Sequence, residues 1–513
     1  MGKSLGGFFG AIITAVVVAA AVYFSGGTAL AAIGWGAAAG SLSLVASSML
    51  GQIGVSGYGD VADSLSRSTS PTTGLPVIYG GELPHKNGVS GGSFILTGSI
   101  VAWYNVPNSD SQYLFSEQAV AYAGVEKHIE QIYIDNEPVL AVPITAEGVV
   151  PKESIAAKYQ NYLQLEVRFG GDYTSTKTLA AKYAGSKWTN KFLGKGIVSI
   201  STVILKTQDS LENNILVNDQ FALTVEMKGQ VIYDFVDGTY KASSNPPSII
   251  YDYLTNSIYG MGIDPSLINT DTFAETAAYC DAFEYYANGA ISYQKTYKDN
   301  IENICQSFGG IMYVHAGQIC ITTDRKSVSV ASFDERNMVG AVQVSTSGGT
   351  DYFNVVDCKF TNPESMYTTD VVRIPSDITT DEAVQHDGQV IALSRDYSWS
   401  YDQEVIAKMA NVDVLKAKYA LRTISFTTSE GWDLEVWDAI NVSNEELAIS
   451  GKFKVLNKDI STDQENVGYV TITAVEAPDA MYDGIDPGIW SPGGVINFPE
   501  LQVLPPTNLE VAH

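Results

Sequence analysis

A chain of 513 residues has room for several hydrophobic cores, so three or four domains are expected rather than one. Acidic residues outnumber basic ones 57 to 30, and no cluster of Lys and Arg is visible to neutralise phosphates, which argues against specific nucleic-acid binding. The four cysteines, Cys280, Cys305, Cys320 and Cys358, form no CxxC pair or redox motif, and His85, His128, His315, His386 and His513 are too scattered for a zinc site or a Ser-His-Asp triad. The thiols are therefore expected to be buried and reduced.

From Leu5 to Ile53 nearly every residue is apolar or small, in two runs, Phe8 to Phe24 and Thr28 to Leu50, separated by Ser25-Gly26-Gly27. Lys3 is the only basic flank and the apolar run continues past any plausible cleavage site, which disfavours a secretory signal. A helical hairpin is expected over residues 1–56, its helices brought close by small residues such as Gly34, Gly36 and Gly40 around Trp35. A bundle buried in an oligomer and a pair of segments that enter a bilayer both fit this composition. Residues 57–74, rich in Ser, Thr, Gly and Asp, read as a linker.

Residues 75–245 carry strand signals: Ser93 to Tyr104, Tyr113 to Tyr122, Ile129 to Ile134, Tyr162 to Phe169, Ile197 to Leu205 and Ala222 to Tyr233. Short runs bounded by Gly, Asn and Asp predict antiparallel sheets or a barrel.

Residues 246–345 then change character. Asn245-Pro246-Pro247 places proline in the first turn of a helix whose stripe is Ile249, Ile250, Tyr253 and Leu254, with Gly260 and Gly262 as its stop. Thr272 and Glu275 read as a capping box for a second helix through Ala277, Ala278 and Cys280. Asp299 with Glu302 opens a third, with Ile301, Ile304, Cys305 and Phe308 at i, i+3, i+4 and i+7. Gly309-Gly310 ends it, and Ile311 to Val314 turns through Ala316-Gly317 into Ile319 to Ile321, a hairpin.

Residues 346–480 return to strands. Val342 to Phe360 and Thr368 to Ile374 come first, then a helix from Asp402 to Tyr419 with Val405, Met409, Val412 and Leu415 on one side. Thr423 to Phe426, Leu434 to Asp438, Ile440 to Val442, Phe453 to Leu456 and Tyr469 to Val475 then predict a small barrel. Residues 481–513 form a tail rich in Pro and Gly. The fold class expected is mainly β with a small α+β module: several β-barrel or sandwich-like domains plus the N-terminal apolar hairpin.

The order "NPPSIIYDYLTNSIYGMGI", "FAETAAYCD" and "NIENICQSFGGIMYVHAGQICI" resembles the central tail-tip (hub) protein of long-tailed bacteriophages, the protein J family of lambda-like phages. "GKGIVSISTVIL" and "LTVEMKGQVIYD", in that order, are similar to hub segments leading into the Asn-Pro helix. Leu434 to Val442 resembles a hub turn, with Trp437 where the family often has glycine. Together these cover about residues 75–480. The apolar N-terminus followed by Leu75-Pro76-Val77-Ile78-Tyr79-Gly80 is similar to the C-terminal half of the tail assembly protein I of lambda-like phages, here on the same chain as the hub-like modules. The closing "PPTNLEVAH" is similar to the start of a fibronectin-like domain in longer hub proteins.

The resemblance implies a structural protein at the tail tip of the virion, assembled in the host cytoplasm. It implies a homotrimer that joins the ring of distal tail protein, meets the C-terminus of the tape-measure protein, closes the tube and opens for genome ejection. A separate receptor-binding or fibre protein would recognise the host, and the N-terminus would be the part able to contact a host membrane. An acidic tube lining would let DNA slide, although a plain solvated acidic surface explains the composition equally. The reading from another class is a membrane-anchored bacterial surface β-protein that binds a partner. No enzyme activity is expected. The pairs Glu445-Glu446 and Asp381-Glu382 are of a kind that surface loops produce constantly, and Gly6-Gly7, Gly26-Gly27 and Gly348-Gly349 lack the Lys-Ser or Lys-Thr of a phosphate loop. No catalytic, cofactor-binding or metal-ligating residue is assigned.

Overall fold

The computed structural model describes residues 75–482 apart from 82–94, 98, 108–111, 219–220, 292–294, 347–351, 364–366 and 461–467. The apolar hairpin expected over 1–56, the linker 57–74 and nearly all of the tail 481–513 lie outside the described residues. The described part begins with β1 (Val77–Tyr79), β2 (Ile95–Thr97), β3 (Ser99–Pro107), β4 (Gln112–Tyr122), β5 (Ile129–Ile134), β6 (Glu137–Pro138), β7 (Gly148–Val149) and β8 (Leu163–Phe169). Helix α1 (Thr178–Ala184) precedes β9 (Ile197–Lys206), and α2 (Gln208–Glu212) precedes β10 (Leu223–Met227), β11 (Val231–Tyr233) and β12 (Tyr240–Ala242).

Two sheets form here, one in the order β3-β4-β9-β8-β7 and one in the order β2-β10-β5-β6. The two sheets share a core, with Leu165, Val167 and Ile200 from the larger sheet and Ile132, Leu223 and Val225 from the smaller. The single run expected over Ala222 to Tyr233 divides at Gly229. There the backbone turns aside to pair with the first strand: Gly229 N donates to Gly80 O and Gln230 N to Ile78 O, both at 2.8 Å. A Cβ on Gly229 would sit 2.7 Å from Ile78 O, so only glycine allows this approach.

Next come α3 (Pro246–Thr255), α4 (Thr270–Ala282), β13 (Gly289–Ile291), α5 (Tyr297–Gln306) and the hairpin β14 (Gly310–His315) with β15 (Gln318–Thr323). The three helices and the hairpin stand where the sequence places them, but their ends are set by other residues. Helix α3 stops at Thr255, ahead of Gly260, because the Asn256 side chain accepts from Ile258 N at 2.9 Å and starts a turn. Gly260 serves the return of the loop, since a Cβ there would lie 2.2 Å from Tyr253 O. Asn269 caps α4 by accepting from Asp271 N and Thr272 N, so Thr272 is already inside the helix and Ala278 is exposed. On α5 the capping box is Thr296 with Asp299, three residues before the Asp299–Glu302 pair read from sequence. The hairpin turns on Ala316 and Gly317, both with positive φ, as a two-residue turn requires.

The chain ends with β16 (Ala331–Phe333), β17 (Met338–Thr346), β18 (Val355–Asn362), β19 (Thr368–Ile374), α6 (Glu382–Asp387), β20 (Ala392–Tyr397), α7 (Gln403–Tyr419), β21 (Arg422–Thr428), β22 (Ala439–Asn444), β23 (Ile449–Ile460) and β24 (Val470–Glu476). Six of these strands form a half-barrel in the order β16-β22-β23-β24-β21-β17, around Phe333, Phe426, Ile440, Phe453 and Ile472. The Leu434 to Asp438 stretch is a turn rather than the expected strand. The fold is thus mainly β with few helices.

The cores cross the boundaries drawn from sequence. Strand β1 pairs antiparallel with β13 and points alternate side chains two ways, Ile78 into the first core and Val77 and Tyr79 into the helical one. The small sheet β19-β18-β20 and helix α7 also pack on that helical core, through Val356, Phe360, Val405 and Met409. The half-barrel, by contrast, draws strands from both sides of residue 346.

Candidate functional site

A group of three or more His, Cys, Asp or Glu able to hold a metal is absent among the described residues. What the structure concentrates instead is polar chemistry at the seams between its units. Asp324 follows β15 directly and is fully buried. Its carboxylate lies 2.6 Å from Lys416 Nζ on α7 and 3.1 Å from Lys454 Nζ on β23. It also accepts from Tyr482 OH at 2.7 Å and from Trp437 Nε1 at 3.1 Å. Three hydrogen bonds and the Lys416 ion pair, from four separate segments, meet one carboxylate, so this residue fixes the helical module, α7, the half-barrel and the last described turn against one another. Burial alone would raise the Asp324 carboxyl, but the two ammonium groups outweigh it and hold the carboxyl well below its usual range. Burial in turn lowers Lys454, opposed by Asp324.

Trp437 closes this knot from an unusual backbone. Its φ is +77°, the left-handed region that favours glycine. The indole offsets that strain by packing with Ile311 and Leu456, by bonding Asp324, and by lying 5.5 Å from the Lys454 ammonium. Trp437→Gly would relieve about 1 kcal/mol of backbone strain and lose about 3–5 kcal/mol of buried aromatic packing. Urea unfolding is therefore expected to show a net loss of roughly 2–4 kcal/mol, and a variant as stable as the parent would contradict the compensation.

Two further seams use tyrosine on carboxylate. Tyr79 OH and Tyr259 OH both donate to Asp252 Oδ2, at 2.6 and 2.8 Å, tying β1 to α3. Burial raises the Asp252 carboxyl although both bonds oppose it. Tyr367 OH donates to Glu226 Oε1 at 2.6 Å and Tyr133 OH to Glu226 Oε2 at 3.3 Å, joining the β18–β19 turn to the first core beside Tyr401.

The residues weighed for chemistry from sequence are scattered. Cys280, Cys320 and Cys358 are buried and Cys305 half-buried, all unpaired, and burial pushes each thiol up. His128, just before β5, pairs with Glu130 at 2.8 Å, and His315, at the end of β14, pairs with Glu435 at 3.4 Å. Asp381 caps α6 by accepting from Ala383 N and Val384 N at 3.0 Å, and Glu445 and Glu446 sit in the β22–β23 turn with their backbone N–H groups on Glu335. The buried knot was missed in the sequence, yet one signal was present. Lys416 continues the apolar stripe of Val405, Met409 and Val412, and a lysine on a buried stripe needs a counter-charge.

Residues 296–457, from the cap of α5 into β23, match the family described as "Putative phage tail protein". A stretch of 150 residues is 26% identical to the tip attachment protein J of Escherichia phage SECphi27; it is 26% of this chain and 13% of that relative, so the match spans a small part of the relative's length. Among solved structures, a chain in the virion of a native gene transfer agent particle shares the fold with a TM-score of 0.56 at 12% identity, over 94% of this chain and 96% of that one. The 43 kDa tail protein of prophage MuSo2 from Shewanella oneidensis aligns over 77% of this chain and 94% of its own at 14% identity, with a TM-score of 0.29. The family match and the tip attachment relative point to a phage tail protein. The gene transfer agent chain shows the fold alone.

Proposed function

We propose that this chain is the central hub of a phage tail tip. Three copies close the end of the tube, seat on the last ring of distal tail protein, meet the C-terminus of the tape-measure protein and open for genome ejection. A separate receptor-binding or fibre protein recognises the host. The observation that carries the reading is the tail-protein match over residues 296–457, which spans the α5 helix, the hairpin and most of the half-barrel. The reading is also supported by the seams described above: a part that bears load between units needs them locked, and Asp324, Asp252 and Glu226 each tie segments distant in sequence. The hub has no catalysis of its own. Mass spectrometry of purified virions tests this, with the chain expected in the tail fraction; absence from the tail overturns it.

The apolar stretch 5–53 has a place in this reading. A patch of that size left in water would aggregate, and a three-fold tube offers its axis as shelter. There the segment plugs the lumen below the tape-measure terminus until ejection, and its two runs then find the host membrane a favourable destination. Deleting residues 5–53 is expected to give leaky tails, or tails that bind cells normally and fail to deliver DNA. Particles that assemble, retain DNA and infect at parental efficiency would show the segment to be only an assembly aid.

A further inference from the structure

In a chain of net charge −27, the 36 residues from Tyr173 to Gln208 contain six lysines and no carboxylate. Four of those lysines, Lys182, Lys187, Lys191 and Lys195, are exposed on α1 and the loop that follows it. The loop is a built structure. Trp188 rests on the buried Phe115 with ring centroids 6.4 Å apart, and Phe192 packs at a tilt against Trp188 at 5.2 Å. Arg168, itself buried, donates to Ser175 O at 2.8 Å before the helix and to Leu193 O at 2.9 Å after it, clamping both ends. Phe192 is left 50% exposed among the lysines. The basic island passed over in the sequence is thus a fixed surface with an aromatic centre.

The same chain carries its complement. From Thr423 to Gly451 there are six carboxylates and no Lys or Arg. Hydrogen bonds gather this stretch with the β16–β17 turn: Glu335 Oε1 accepts from Glu445 N at 2.6 Å, and Asn337 Nδ2 donates to Glu430 Oε2 at 3.2 Å. Glu430, Asp433, Glu445 and Glu446 are exposed, and beside them Trp432 is 41% and Leu447 44% exposed. One surface is positive around a half-exposed aromatic ring, with Lys195 paired to Asp172, and the other is net negative around a half-exposed indole and leucine, with the exposed Arg336 of its turn paired to Asp334.

We propose that the Lys182–Lys195 island of one copy docks on the Glu430–Glu446 rim of a second copy of this chain. This deepens, and rests on, the ring of copies proposed above. The charges dictate the kind of contact. A two-fold dimer through the island would set lysines against lysines, whereas island against rim is head-to-tail, and head-to-tail contacts with the right rotation close into rings of three or more. An anionic bilayer or a nucleic acid would gain from the lysines alone, with nothing for which the acidic rim and its exposed apolar residues are shaped.

The test uses the full chain in sedimentation at low and high salt. The parent is expected to run as a multiple of the 55.1 kDa chain and to lose mass as salt rises. Lys187→Glu with Lys191→Glu and Lys195→Glu should abolish that salt-sensitive assembly, as should Glu430→Lys with Asp433→Lys and Glu445→Lys. Combining both sets should restore it, because each contact again joins opposite charges. A second measurement is independent of association through other parts of the chain. With Lys191→Cys and Asp433→Cys in one protein, a short bis-maleimide should give a ladder of linked chains. Both single sets assembling as the parent does, or linked chains failing to form in an assembled protein, overturns the docking and leaves the ring standing. A parent of single-chain mass at every salt overturns the ring and the docking together. A parent that binds phosphatidylglycerol vesicles or duplex DNA through these lysines, with assembly indifferent to them, assigns the island to another occupant and overturns the proposal.

Discussion

Asp324→Asn is expected to cost about 3–5 kcal/mol of folding stability, the usual consequence of removing one partner from a buried ionic group. Lys416 and Lys454 would remain almost fully buried after losing this carboxylate, with Asp413 3.9 Å from Lys416. Because the Asp324 carboxyl is held below its unfolded value, its contribution is fully present above about pH 4 and is lost as pH falls below that. The parent should therefore lose stability on acidification through this range more steeply than the variant does. Urea titration of both proteins at neutral pH and near pH 3 measures this. A variant within about 0.5 kcal/mol of the parent at neutral pH would mean that the knot does not bind the units together.

Phe308→Asp should have a still larger effect. Phe308 is fully buried at the end of α5, and its ring fills the space above Gly310, where a Cβ would come within 2.1 Å of it. The substitution removes a large buried aromatic side chain, worth about 3–5 kcal/mol by itself, and leaves in its place a carboxylate with no cation assigned to it. The helical core it shares with Ile304, Ile249 and Phe273 should not form, and phage carrying the change should fail to assemble tails. Parental plating would show that this stripe is not core.

How much of this was legible beforehand varies with the kind of signal. Period-2 and period-3.6 patterns placed most strands, the three helices of the central module and α7, because apolar alternation reports directly on which face is buried. Helix ends were less legible. Asn256, Asn269 and Thr296 compete with glycines and with other Ser/Thr/Glu spacings that look equally good on paper, and the winner is set by where the loop must return. The role of β1 was not visible at all: Val77, Ile78 and Tyr79 stand out in the sequence only through a resemblance, yet their two faces serve two cores. Trp437 shows the opposite case. The resemblance marked its place as one where glycine is frequent, and the structure gives it a glycine-like φ of +77°. The seams were hidden because a sequence does not say which of its carboxylates is buried, although Lys416 on the α7 stripe was a readable exception. The lysine island is equally plain in the sequence, six lysines without a carboxylate from Tyr173 to Gln208 in a chain otherwise rich in acid.

Electron cryomicroscopy of purified tails tests the proposed hub role: density is expected for three copies at the end of the tube, each fitted by the two-sheet unit, the helical module and the half-barrel. Density for the chain elsewhere on the particle, or a tip built from other than three copies, would contradict it.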